Sequence, residues 1–97
     1  MSLSNIIVIN NLLDIYGKFL TQKQLKIMDY YYKQNLSLSE ISEQLGITRQ
    51  AVNFSLKHSL DTLNEFEEKL HLVEIKEKLI KSDNAELKNF ILSKWED

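Results

Sequence analysis

Arg49, Gln50, Asn53 and Lys57 sit close together in a short polar stretch. None of them is needed by the apolar pattern around them, so their side chains are free to meet a partner. A guanidinium can donate in a fork to guanine or clamp a phosphate, and side-chain amides such as Gln50 and Asn53 can pair with adenine. An ammonium at Lys57 suits a phosphate. Thr48 and Ser37 stand where helices should begin, where hydroxyl and amide groups can also meet phosphate. These six residues form a candidate DNA-contact set.

Catalytic chemistry finds less support. The chain has no Cys and no Gly-rich phosphate loop. His58 and His71 are 13 positions apart. On a continuous helix that is roughly 20 Å, too far to share a metal. His58 reads as a surface or rim residue near enough to touch a phosphate. Glu67-Glu68 falls on an open, charged helical stretch with no inferable cleft. A non-enzyme without metal or cofactor is expected.

The elements that carry the polar set have strong local signatures. Ser37-Leu38-Ser39-Glu40 is a capping box, in which Ser37 caps the Glu40 amide and Glu40 reaches back. A short helix follows, with Leu38, Ile41 and Leu45 turned inward. Gly46 ends it at a point that suits a left-handed conformation. Thr48 then caps a second helix whose inward residues are Val52, Leu56, Leu60 and Leu63. Two helices joined by a short Gly-containing turn form a helix-turn-helix over residues 37–59. Ile41, Leu45, Ile47 and Val52 share its small core, and Ser42 keeps the crossing narrow. In this motif the second helix enters the major groove, and its early residues meet base edges.

Electrostatics temper that reading. From Ser37 to Leu60, Arg49 and Lys57 balance Glu40 and Glu43. DNA affinity comes largely from neutralised phosphates, so tight binding by a monomer is not expected, while a homodimer doubles the cations. Lys18, Lys23, Lys26 and Lys33 against Asp29 give residues 17–34 a charge of +3, and they add cations if they lie alongside. Phe54 is unusual for a groove face. It either packs on a neighbouring helix or marks a protein-contact surface.

Around this motif the chain continues in helical period. Ile6, Ile9, Leu13, Tyr16 and Leu20 form one stripe, and Val8, Leu12, Ile15 and Phe19 a second beside it. Such a helix is buried in its own domain or lends one stripe to a second subunit. Gly17 closes it, and Thr21 caps the next helix, which carries Leu25, Met28 and Tyr32. Tyr30-Tyr31-Tyr32 cannot form one stacking platform, because consecutive helical residues point about 100° apart. They are assigned to core and rim. The tail repeats the period through Leu63, Phe66, Leu70 and Val73, with a possible restart at Leu72, Ile75 and Leu79. Asp83 is the expected cap of a last helix bearing Leu87, Phe90, Ile91 and Trp95. That helix docks on its own domain or across a dimer.

The length of 97 residues fits one helical domain, 1–97, with residues 60–97 as a C-terminal extension. With no Pro, two Gly and a net charge of −2, hairpin-rich folds and a strongly basic nucleic-acid coat are disfavoured. The apolar run Ile6–Ile9 is broken by Asn10-Asn11 and Asp14, so no membrane insertion is expected and a cytoplasmic location follows.

Leu20-Thr21-Gln22-Lys23-Gln24, Tyr30-Tyr31, Leu36 through Glu43, Ile47 through Val52, and Leu63 through Leu70 resemble the YlxM family of helix-turn-helix proteins, over roughly residues 12 to 80. The chain departs from that family's pattern at Asn53-Phe54-Ser55. The same stretch distantly resembles the promoter-reading C-terminal region of bacterial sigma factors. The resemblance implies a small all-α cytoplasmic bacterial protein with a regulatory or accessory role in the signal recognition particle pathway. The expectation is therefore five or six helices around a central helix-turn-helix, in a DNA-binding regulator that forms a homodimer. The alternative is an adaptor that meets the signal recognition particle by protein or RNA contact, and a purely structural dimer subunit is a third reading.

Overall fold

The computed structural model describes residues 3–95, with side chains described from Asn5 to Lys94. The described residues form six α-helices: α1 (Leu3–Tyr16), α2 (Gln22–Tyr32), α3 (Leu38–Leu45), α4 (Arg49–Leu70), α5 (Leu72–Ile80) and α6 (Ala85–Trp95). A single 3-10 turn, Gly17–Phe19, links α1 to α2. The fold is all-α, as the periodicity predicts.

Local chemistry sets most helix starts. The Thr21 hydroxyl accepts from the Gln24 N–H at 3.1 Å, and the Gln24 side-chain oxygen accepts from the Thr21 N–H at 2.9 Å. Ser37 and Glu40 repeat this reciprocal arrangement at 3.1 and 3.0 Å. Thr48 accepts from the Ala51 N–H at 3.0 Å. Each cap satisfies an amide that has no partner inside its own helix. Gly46 closes α3 in the left-handed region, with φ 67°. Its N–H and that of Ile47 both donate to the Ser42 carbonyl, which reverses the chain tightly enough for α3 and α4 to cross.

The core lies where α1, α2 and α3 pack on α4. Tyr16, Ile27, Met28, Ile41, Val52 and Leu63 are fully buried there. Both α1 stripes turn mainly inward: Ile9, Leu12, Leu13, Ile15 and Tyr16 are buried, while Ile7, Val8 and Phe19 remain exposed. Gly17 sits in a close approach, since a Cβ there would lie 3.2 Å from Leu25 Cδ2 and the leucine would have to shift slightly. Tyr32 is buried, with Tyr31 packed edge-on against it. Lys26 lies over the Tyr30 ring. The triplet therefore serves core and rim.

The tail takes the restart offered by Leu72, Ile75 and Leu79, with α5 beginning at Leu72, and departs from the sequence reading in the spacing of the histidines and in the cap of the last helix. A continuous helix through residue 71 was the basis for separating the two histidines. Instead α4 ends at Leu70, and His71 adopts a left-handed conformation, φ 55°. Tertiary partners stabilise this break. The Glu67 carboxylate accepts from the Val73 and Glu74 N–H groups at 3.0 and 3.1 Å. The Tyr16 hydroxyl donates to the same carboxylate at 2.6 Å and accepts from the Leu72 N–H at 3.0 Å. Side chains from α1 and α4 thus serve the amides that open α5. Burial, reinforced by the bond to Glu67, pushes the Tyr16 pKa up to about 12.

The second correction concerns α6. Its start is capped by Asn84, whose side-chain oxygen accepts from the Leu87 N–H at 2.9 Å, and not by Asp83. Only at position 84 does a short side chain reach the third residue of the helix. α6 packs against α5 of its own chain, while Leu87 and Phe90 stay exposed. The expected role of the Trp95 side chain lies outside the described residues.

Candidate nucleic-acid interface

The buried row on α4 is Val52, Leu56, Ser59 and Leu63. With that row on the core, the opposite side must face solvent. Arg49, Gln50, Asn53, Phe54, Lys57 and His58 are all exposed. Positions 49, 53 and 57 follow one ridge of the helix, and 50, 54 and 58 follow the next. The first ridge carries a cation, an amide and a cation. The second carries an amide and two rings.

Arg49, Gln50 and Asn53 line one shallow groove together with Leu38, at the start of α3. The turn therefore brings the openings of both helices to one site, and Lys57 continues it one helical turn further. The first turn of α4 contains no acidic residue. The Ala51 N–H is taken by the Thr48 cap, so the positive end of the helix dipole offers an anion the Arg49 and Gln50 amides beside the Arg49 guanidinium.

The opening of α3 is different. Glu40 already occupies it, accepting from the Ser37 N–H. Hydrogen bonds from Ser37 hold the Glu40 carboxyl below its usual range. The Ser37 hydroxyl accepts from the Glu40 N–H and is itself directed at the Glu40 carboxyl, so a phosphate at Ser37 would have to displace that carboxyl.

None of the lysines of residues 18–33 lines the Arg49 groove. Lys26 and Lys33 lie with Asp29, Leu13 and Leu25 in a separate shallow groove. The α4 face thus keeps the modest charge read from its own residues.

For Phe54 the sequence left two readings open, packing on a neighbouring helix or a protein-contact surface. Phe54 is 71% exposed and does not pack on a neighbouring helix. Its ring stacks on the His58 imidazole, with centroids 5.9 Å apart and planes within 7°. The i, i+4 spacing of the two rings, on the side away from Val52 and Leu56, was the available signal.

Among the described residues, no group of three or more His, Cys, Asp or Glu side chains could hold a metal ion. No described helix is long and apolar enough to cross a membrane.

Comparison with known proteins agrees with this geometry. Residues 3–94 match the pattern of a family described as "Putative helix-turn-helix protein, YlxM / p13 like". A protein of Desulforamulus reducens named UPF0122 protein is 51% identical over 65 residues, covering 67% of this chain and 56% of its own length. A Clostridium kluyveri protein of the same name is 44% identical over 86 residues, covering 89% of this chain and 77% of its own. One from Shouchella clausii is 42% identical over 84 residues, covering 87% and 76%. With its helix-turn-helix and a family match across nearly its whole length, the chain belongs to the YlxM/p13-like helix-turn-helix family.

Proposed function

We propose that this chain is a non-enzymatic DNA-binding regulator that inserts the first half of α4 into the major groove. The observation that carries the reading is the face itself. Gln50 and Lys57 stand on the side of α4 away from its buried row, and Arg49 and Asn53 stand exposed beside them at a helix start free of acidic residues. In this arrangement Arg49 forks to guanine or a phosphate, and Gln50 and Asn53 pair with adenine edges. Lys57, Thr48 and the Ser37 hydroxyl hold the backbone. Such a protein works in the cytoplasm as one helical domain.

One copy supplies few cations, so the reading includes a homodimer spanning two half-sites. Exposed Ile75, Ile80, Leu87 and Phe90 on α5 and α6 give a second copy apolar surface to cover. The same apolar residues, together with the neutral balance of residues 37–60, favour a second reading. In it the chain is an accessory protein of the signal recognition particle pathway that acts through protein or RNA contact.

Fluorescence anisotropy on labelled duplex DNA at fixed salt separates the two. If Arg49 is bidentate to guanine, Arg49→Ala weakens binding by roughly 1–3 kcal/mol, or about 5-fold to 160-fold. Unchanged affinity in the variant refutes the Arg49 role and leaves the accessory reading standing.

A further inference from the structure

We propose that Phe54 determines base specificity on this face by taking the C5-methyl group of a thymine in the major groove. The inference rests on the groove-binding reading above and names what that site selects.

Position comes first. At 100° per residue, Phe54 lies nearly opposite the row of Val52, Leu56, Ser59 and Leu63 that holds α4 on the core. A helix lowered into a groove with that row behind it carries position 54 toward the groove floor. Phe54 is also the one large apolar side chain that α4 exposes ahead of Leu70.

Orientation follows. The imidazole of His58 lies parallel and offset along one face of the ring, centroids 5.9 Å apart, and restrains it. The other face and the edge remain open, as the 71% exposure of the residue requires.

Chemistry then selects the partner. The major-groove edges of guanine, adenine and cytosine offer hydrogen-bonding atoms, and thymine alone adds a methyl group. A phenyl ring pressed on a polar edge removes its water and returns no hydrogen bond, which is unfavourable. Against the thymine methyl, the same ring buries apolar surface on both sides. Gln50, one helical turn earlier on this ridge, suits adenine. The ridge of 50, 54 and 58 is therefore selective for A·T pairs, beside the base and phosphate contacts that the neighbouring ridge of Arg49, Asn53 and Lys57 makes.

The test uses the full chain. Duplexes are selected from a random-sequence pool at fixed salt, and each thymine of the recovered site is replaced singly by deoxyuridine, which removes only the methyl group. The wild-type chain should lose about fourfold in affinity at one thymine, the loss expected for one buried methyl. Phe54→Ala should bind the thymine and uridine duplexes equally. Because Phe54 packs on no other helix, this variant should keep the wild-type circular dichroism spectrum. Arg49→Ala should bind more weakly overall and keep the fourfold methyl effect.

If Arg49→Ala weakens binding but no uridine replacement matters, or if Phe54→Ala retains the methyl effect, the Phe54 assignment is overturned and the groove reading stands. If no duplex is enriched, the groove reading itself falls and the assignment falls with it. Tighter binding of the single strand than of the duplex also overturns the assignment, because the ring would then be stacking on an unpaired base.

Discussion

Replacing Tyr16 by Phe removes one oxygen from the place where α1, α4 and α5 meet. That oxygen donates to the Glu67 carboxylate at 2.6 Å and accepts from the Leu72 N–H at 3.0 Å. A hydrogen bond to a charged acceptor contributes about 1.5–3 kcal/mol net, and a neutral one about 0.5–1.5. Glu67 keeps its bonds from the Val73 and Glu74 amides, so the carboxylate is not orphaned. Tyr16→Phe should therefore lower stability by roughly 2–4 kcal/mol at pH 7, read from urea unfolding followed by circular dichroism. The pH dependence provides an internal check. The Tyr16 pKa is pushed up to about 12 from an ordinary 10.0, so the folded chain holds this proton more tightly than the unfolded chain does. The associated stability is present in full below pH 10 and is lost as pH rises toward 12. It amounts to roughly 2–3 kcal/mol. Tyr32, whose pKa is also raised by burial, contributes to the alkaline loss in both chains and cancels in the comparison. The gap between wild type and variant should accordingly close on going from pH 10 to pH 12. Equal stabilities at pH 7, or a gap that stays constant through the alkaline range, would refute the role given to this hydroxyl.

Two further outcomes follow from the same structure. A Cβ at Gly46 meets nothing within 4 Å, so Gly46→Ala should cost only the left-handed conformation, about 1–2 kcal/mol in urea unfolding, and Gly46→Asn distinctly less; equal costs for the two would mean that strain is not the cause. Static light scattering at micromolar concentration should give twice the single-chain mass if the apolar residues of α5 and α6 cover one another in a dimer, and the single-chain mass would remove the dimer from the account.

What was legible in the sequence was what depends on near neighbours. Thr21, Ser37 and Thr48 cap helices through bonds reaching three positions along the chain, and Gly46 turns because it lacks a Cβ. The helix-turn-helix is assembled from such signals, so its elements appear where the spacing put them. The exposure of Gln50 and Lys57 follows from the same periodicity, because the buried row of α4 fixes which side faces out, whereas Arg49, in line with that row, is exposed because it opens the helix. The break at His71 is of another kind. No Gly or Pro marks it, and the groups that stabilise it include Tyr16, 51 positions from Glu67. The cap of α6 slipped from Asp83 to Asn84 because both residue types suit that role, and only the backbone path decides between them. For Phe54 the sequence left packing and exposure both open. Its exposure depends on where the neighbouring helices run, which no local pattern records.

The central claim is that α4 meets duplex DNA through its opening turns. The most direct measurement is a titration of the isotope-labelled chain with duplex DNA, followed by amide chemical shifts. The largest shifts should fall on Thr48 to His58, with smaller ones near Ser37 and Leu38, and raising the salt should reverse them. Shifts confined to α5 and α6, or none at all at protein concentrations well above those of the affinity measurements, would contradict it.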